Sequence, residues 1–433
     1  MQIKRVVITG MGIYSCLGQT LEEVQDALFK GKSGIILDPE RKALGFRSGL
    51  TGFVPLPDLK QELPRNQRIY MPEPAQYAYC ATRDALKSAG LDQDWLDSHE
   101  VGLLYGNDST ADAVYKSISK IVEKKDTMLC GSGAIFQSMN STVTMNLGVI
   151  FHLKGINLTV SGACASGSHA IGLGAMLIQN GLQDVVVCGG AQEVNPAATG
   201  SFDGISAFSV REDEPAKASR PFDRDRDGLI PSGGAATVVL ESYESAVKRG
   251  APILAEVIGY GFSSNGEHIS TPNVDGPARS LEFAIRRSGI DIDSIGYVNA
   301  HATSTRVGDA NEARALYKVF GDRKIEITST KGQTGHEMWM AGASEVIYSI
   351  LMMKNDFIAG NLNFENPDED SARMLIIGGT SLTVYPAAGF IRYYRGKELV
   401  LVNRDETAVD AEATLVLRDP IGQVFATVMR LIG

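Results

Sequence analysis

The chain has 433 residues, 44% of them hydrophobic and 21% charged, with a net charge of −10. That length can bury a large core, the balance is ordinary for a soluble globular protein, and the charge argues against non-specific nucleic-acid binding. No run approaches the roughly 20 apolar residues that span a bilayer, no secretory signal is evident, and five cysteines without metal-like spacing suit reduced thiols in a cytoplasm.

In chain order, short β-rich runs alternate with helical periodicity, the pattern of layered α/β architecture. Strands are predicted at 5–9, 102–105, 157–160, 184–188 and 236–240, and helices at 20–30, 74–89, 167–180 and 243–248. A second set follows, with strands at 254–260, 296–299 and 325–328 and helices at 277–288 and 311–319. Periodicity alone gives an α/β protein of two related halves. The stretch 107–146 has few strand signals and reads as a helical insertion. Its Lys116, Lys120, Lys124 and Lys125 form a basic cluster, a pattern more common on a solvated helix face than at a docking site.

The chemistry-bearing stretch is Thr159-Val-Ser-Gly-Ala-Cys-Ala-Ser-Gly-Ser-His169, where a predicted strand turns into a helix. A thiol there lies near the first unpaired N–H groups of the helix, whose partial positive charge favours thiolate. A lone cysteine in such a turn is usually structural. Two downstream motifs reverse that preference: Asn299-Ala-His-Ala-Thr-Ser-Thr-Arg-Val-Gly-Asp309 and Ser329-Thr-Lys-Gly-Gln-Thr-Gly-His336, each following a short strand. Cysteine catalysis needs partners adjacent in space rather than in sequence, and Cys164, His301 and His336 supply such a set.

These segments resemble the β-ketoacyl-[acyl carrier protein] synthases, the condensing enzymes of fatty acid and polyketide synthesis. The opening Arg5-Val-Val-Ile-Thr-Gly-Met-Gly12 and the stretch Ala218-Ser-Arg-Pro-Phe-Asp-Arg-Asp-Arg-Asp-Gly228 match as well, and the resemblance runs over about 1–372. It implies a thiolase-like fold of duplicated αβαβα layers, with the nucleophile in a half at 1–250 and both histidines in a half at 251–372. It also implies a homodimer, acyl and malonyl forms of acyl carrier protein as partners, and no cofactor, metal, membrane or nucleic acid. One cysteine with two histidines indicates the elongating type, which performs a decarboxylating Claisen condensation.

By the same resemblance Cys164 accepts the acyl chain, and His301 and His336 stabilise the enolate. Lys331 orients a histidine or supports carboxylate departure, Glu312 and Asp309 order the site, and Phe202 lines the acyl pocket. Carrier docking falls on the lysine cluster or on Arg65 and Arg68. Two departures stand out. Ala302 and Arg306 replace the family's glycine and proline, and Glu337-Met-Trp-Met340 replaces a small, glycine-containing stretch, adding bulk that would narrow the site or alter chain-length preference.

The pattern stops after Asp370. Residues 373–433 lack the closing Gly-Phe-Gly-Gly-Thr-Asn turn and instead resemble the C-terminal part of a sirtuin. Met374-Leu-Ile-Ile-Gly-Gly-Thr-Ser381 matches that family's phosphate turn, and Asn403 its ribose contact. The sirtuin glycine loop, catalytic histidine motif and zinc cysteines are missing, so no NAD is assigned. Loss of one oxyanion donor with that turn implies roughly 100- to 1,000-fold lower activity. Two other readings compete: a non-catalytic relative that only pairs with an active partner, and an NAD-binding deacylase fragment; joined to the tail, the former becomes a non-catalytic or impaired condensing-enzyme chimera carrying a partial NAD-binding sirtuin tail. The first is opposed by Cys164 and both histidines, and the second rests on the tail alone.

Overall fold

The computed structural model of the protein describes residues 3–323 and 325–373 and the short strands Val400–Val402 and Leu415–Leu417. These two strands pair in parallel. The expected phosphate turn, the ribose-contacting Asn403 and the half-site for NAD lie outside the described residues.

Ten strands precede them: β1 (Val6–Ser15), β2 (Ile35–Leu37), β3 (Leu50–Gly52), β4 (Gly102–Gly106), β5 (Asn157–Val160), β6 (Val185–Gln192), β7 (Gly234–Ser242), β8 (Ala255–Glu256), β9 (Tyr297–Asn299) and β10 (Glu326–Thr328). A six-stranded mixed sheet runs in the order β5-β4-β6-β7-β1-β8. Side chains alternate across it, as the period of a strand requires. Val185 and Val187 enter one core with Ala78, Ala81 and Ala85 of the helix Glu73–Ser88. Val186 and Cys188 enter the opposite core, with Ala170, Ile171 and Ala175 of the helix Ser166–Gln179 and Ile347 and Leu351 of the helix Ala341–Lys354. The sheet is therefore covered on both faces, which explains why its strands read as continuous apolar runs.

Two strand ends depart from the sequence reading, each for a physical reason. The Gly10-Met-Gly12 stretch continues β1 rather than ending it, because the glycines admit a close helix: a Cβ on Gly12 would lie 2.1 Å from the Ala81 carbonyl oxygen. In the other direction, the strand expected over 254–260 is only two residues long. Val7 and Ile8 of β1 are its register partners.

In the second half, β9 and β10 pair in parallel. Ala300, Ile325 and Ile327 pack with Leu316 and Phe320 of the helix Arg306–Phe320, and with Phe222 and Phe364. The insertion is helical, as expected: Ala111–Lys124, a turn at Thr127–Cys130, then Ala134–Gln137 and Thr142–Ile150. No helix among the described residues is long and apolar enough to cross a membrane.

The 218–228 motif ties the halves to one loop. Arg226 is buried and donates to the carbonyls of Thr305 (3.0 Å) and Arg306 (2.8 Å), and to Asp368 Oδ2 (2.8 Å). The Gly228 N–H reaches the Ser304 carbonyl at 3.1 Å. This lattice fixes the loop that follows His301.

Candidate active site

Cys164 occupies a single tight turn, Ala163–Ala165, between β5 and the helix Ser166–Gln179. Ala163 makes the turn with φ 49°, a left-handed conformation costly for an alanine. Its N–H is held by Asp108 Oδ2 at 3.0 Å. The strain is thus offset by a specific bond, and it presents the next residue's sulfur to a cleft of about 1010 Å³.

His336 and His301 arrive from the ends of the second-half strands. The His336 backbone pairs with Ile230 and Ser232, its N–H donating to the Ile230 carbonyl at 2.7 Å. His336 Nε2 lies 3.0 Å from Cys164 Sγ, and the two histidine rings stand edge to face with centroids 5.0 Å apart. Ligand-type atoms of Cys164, His301 and His336 all lie within 4.8 Å of one another.

Atom types alone would permit a metal at this cluster, but a hydrogen bond on the far side of His336 argues otherwise. The Met338 N–H donates to His336 Nδ1 at 3.2 Å. A neutral imidazole that accepts at Nδ1 carries its proton on Nε2. A metal-binding histidine shows the reverse, donating its second N–H to an acceptor. His336 therefore offers an N–H, not a lone pair, to whatever sits beside the sulfur.

Desolvation and charge hold both imidazoles below their ordinary value. His301 lines the cleft and is exposed there, and desolvation together with the Lys331 ammonium pushes its pKa down to about 3. His336 is buried, and that burial with His301 and Lys331 holds it well below the ordinary histidine value. For Cys164 the expectation of a favoured thiolate is not met. Burial pushes the thiol up to about 11, outweighing the opposing pull of Lys331 and of its own backbone N–H. The helix start is present, but desolvation dominates.

The supporting residues divide into clear groups. Glu312 grips the His301 loop, accepting the N–H groups of His301 at 2.8 Å and Ala302 at 2.6 Å. Asp309 is fully buried and accepts from Phe222 (2.8 Å), Ser304 (3.1 Å) and Thr305 (3.2 Å), with Arg226 Nε 3.7 Å away, so it orders the loop from behind. Lys331 is buried, its Nζ bonded to Glu345, and Glu345 rather than Lys331 lines the cleft. Phe202 is half-buried and stacks on Phe208 with centroids 6.4 Å apart, inside an apolar cluster next to the cleft.

Glu345 was not singled out from sequence. A carboxylate in the apolar run Val346-Ile-Tyr-Ser-Ile-Leu351 that follows it was the available signal, since a buried charge needs a partner. Of the basic residues considered for docking, Arg65, Lys116 and Lys120 line one surface groove of about 620 Å³. Arg68 instead turns its Nε to the Leu63 carbonyl at 3.0 Å.

Cys164, His301 and His336 thus converge beside one cleft, with the His336 Nε2–H beside the sulfur. Residues 3–246 match the family described as beta-ketoacyl synthase, N-terminal domain, and residues 254–365 match its C-terminal domain. The chain belongs to the β-ketoacyl synthase family, and its fold is thiolase-like. It is 39% identical over 369 residues to 3-oxoacyl-[acyl-carrier-protein] synthase 1 of Haemophilus influenzae, covering 85% of this chain and 90% of that protein. Synthase 1 of Escherichia coli is 37% identical over 382 residues (88% and 93% of the two chains). A crystal structure of a beta-ketoacyl synthase from Burkholderia phymatum superposes with a TM-score of 0.83 at 36% identity, covering 87% of this chain and 93% of that one. The complex AntDE:AntF, a type II acyl-carrier protein with its ketosynthase, gives 0.79 at 28% identity, covering 88% and 93%.

Proposed function

We propose that the protein is a 3-oxoacyl-[acyl-carrier-protein] synthase, an acyltransferase that performs a decarboxylating Claisen condensation. The observation that carries this reading is the 3.0 Å approach of His336 Nε2 to Cys164 Sγ, with Nδ1 occupied by the Met338 N–H.

Cys164 attacks the acyl thioester of the first carrier, a new C–S bond forms, and the carrier thiol leaves with the proton lost by Cys164. Malonyl-carrier then enters and loses carbon dioxide, leaving an enolate. Its negative charge falls on the thioester oxygen, where the N–H groups of His301 and His336 stabilise it. The enolate carbon attacks the Cys164 thioester, the C–S bond breaks, and the 3-oxoacyl chain departs on the second carrier. Neutral imidazoles suit this role, because they donate hydrogen bonds without protonating the carbanion. Glu312 is a positioning residue for His301, and Asp309 orders the loop behind it. Lys331, an ammonium paired with Glu345, acts through its charge on both rings, and Phe202 borders the acyl chain. The nucleophile belongs to the half at 1–250 and both histidines to the half at 251–372. A condensation assay with an acyl-carrier and labelled malonyl-carrier tests the reading: one carbon dioxide should appear per 3-oxoacyl-carrier formed. Carbon dioxide release without chain extension would overturn it.

The working unit in this reading is a homodimer. The edge strand β5 carries Leu158 half exposed, and the neighbouring insertion exposes Tyr115, Ile118, Met128 and Ile135. A second copy of the same edge offers both a ladder partner, which β5 lacks on one side among the described residues, and an apolar cover. Sedimentation equilibrium should give twice the chain mass, and a monomer at micromolar concentration would contradict it.

A further inference from the structure

Trp339 links an apolar cluster beside the Cys164 cleft to the wall of a second hollow. The cleft that holds Cys164 is walled on one side by Ser206 and Ala207. Cleft-lining Ala207 also packs against an apolar cluster of Phe208, Leu229 and Met338, as do Phe46, Phe202 and Trp339. A second hollow of about 670 Å³ is lined by Phe46, Ser109, Tyr115 and Ala197 among others. Trp339 belongs to both surroundings. Its ring joins the cluster that contains cleft-lining Ala207, while its indole N–H donates to Ser109 Oγ, in the wall of the second hollow, at 3.4 Å. Its backbone is held independently of the ring: the Trp339 carbonyl oxygen fills the space that a Cβ on Gly190 or Gly167 would need, at 2.6 and 3.1 Å.

The chemistry says what such a wall does. The thioester end of an acyl group on Cys164 belongs with the polar N–H pair. Its hydrocarbon tail seeks the apolar side, which is the Phe202 and Phe208 cluster. The Trp339 indole packs against that same cluster and is tied to Ser109, a residue of the second hollow's wall. We infer that Trp339 is the specificity-determining residue that closes the acyl pocket, so that short acyl chains are transferred and long ones rejected. This inference rests on the condensing reading given above. Phe202 and Phe208 form the side of the pocket and Trp339 its end, pinned through Ser109.

The test is acyl loading of Cys164 in single turnover, read by intact mass, with butyryl-, octanoyl- and palmitoyl-carrier on the full chain. The unaltered protein should load butyryl faster than palmitoyl. Trp339→Ala should raise the palmitoyl-to-butyryl ratio by at least about 10-fold, the lower end of what apolar pockets discriminate per methylene. Trp339→Phe, which keeps a ring and protects the fold, should fall between. The chain has two tryptophans, Trp95 and Trp339, so in Trp95→Phe the emission of Trp339 reports the chain directly and should change on octanoyl loading. An unchanged ratio in both Trp339 variants would overturn the inference, as would equal loading of butyryl and palmitoyl by the unaltered protein. Failure of the unaltered protein to load any chain would instead overturn the condensing reading, and the inference with it.

Discussion

Replacing Cys164 with alanine is expected to abolish the covalent acyl adduct and to lower condensation on the order of 10,000-fold or more, the scale seen when a nucleophile is removed from an intact site. The size of the effect follows from the geometry. Cys164 alone among the five cysteines sits beside the two histidines; Cys80 and Cys188 are buried in the cores that flank the sheet. The substitution should leave the fold intact, because the side chain faces the cleft and the turn is held by the bond from Ala163 to Asp108. The thiol's pKa, pushed up to about 11 by burial, adds a pH signature. The thiolate fraction rises steadily with pH throughout the range below that value, so acylation should accelerate through neutral and mildly alkaline pH. An adduct that persists in Cys164→Ala would place the nucleophile elsewhere.

The second large effect belongs to the histidines. His301→Ala and His336→Ala should each lower malonyl decarboxylation by about 100- to 1,000-fold, the cost of deleting one donor to a developing oxyanion. Both should still accept an acyl group on Cys164, because the N–H pair is needed mainly for the enolate. The pH dependence follows from the direction of the shifts. A histidine whose pKa is depressed to about 3 is neutral at every pH above that value, and His336 is depressed as well. Decarboxylation should therefore stay level across roughly pH 5 to 8, the window in which an ordinary histidine titrates. A variant that failed to acylate yet decarboxylated normally, or a protonation step near pH 6.5 in the unaltered protein, would contradict the role.

Local pattern carried much of this site. A small-residue turn after β5 and two histidines after short strands were legible because each is a local arrangement, and cysteine chemistry demands that they converge. What the sequence left open was non-local. Glu345 pairs with Lys331 from a helix 14 residues further on, and its carboxylate sits in a run that reads as plain core. The tautomer of His336 depends on one N–H from Met338, a residue with φ 46° that no periodicity marks. The raised thiol pKa reversed a correct local argument, because the helix start is a neighbour effect and desolvation belongs to the whole fold. In β1, the glycines beyond the predicted end of the strand proved to be contact points for the helix Glu73–Ser88.

The central claim is that Cys164 carries the chain while two neutral imidazoles hold the enolate, and one sequential mass measurement reaches it most directly. The protein is first loaded from acyl-carrier, and the adduct is located by peptide mapping. Malonyl-carrier is then added, and loss of the adduct is followed beside carbon dioxide release. The account predicts a single acyl group on the Cys164 peptide, discharged in step with one carbon dioxide per 3-oxoacyl-carrier, with discharge but not loading impaired in His301→Ala and His336→Ala. An acyl group on any other residue, or discharge that proceeds at full rate in both histidine variants, would contradict it.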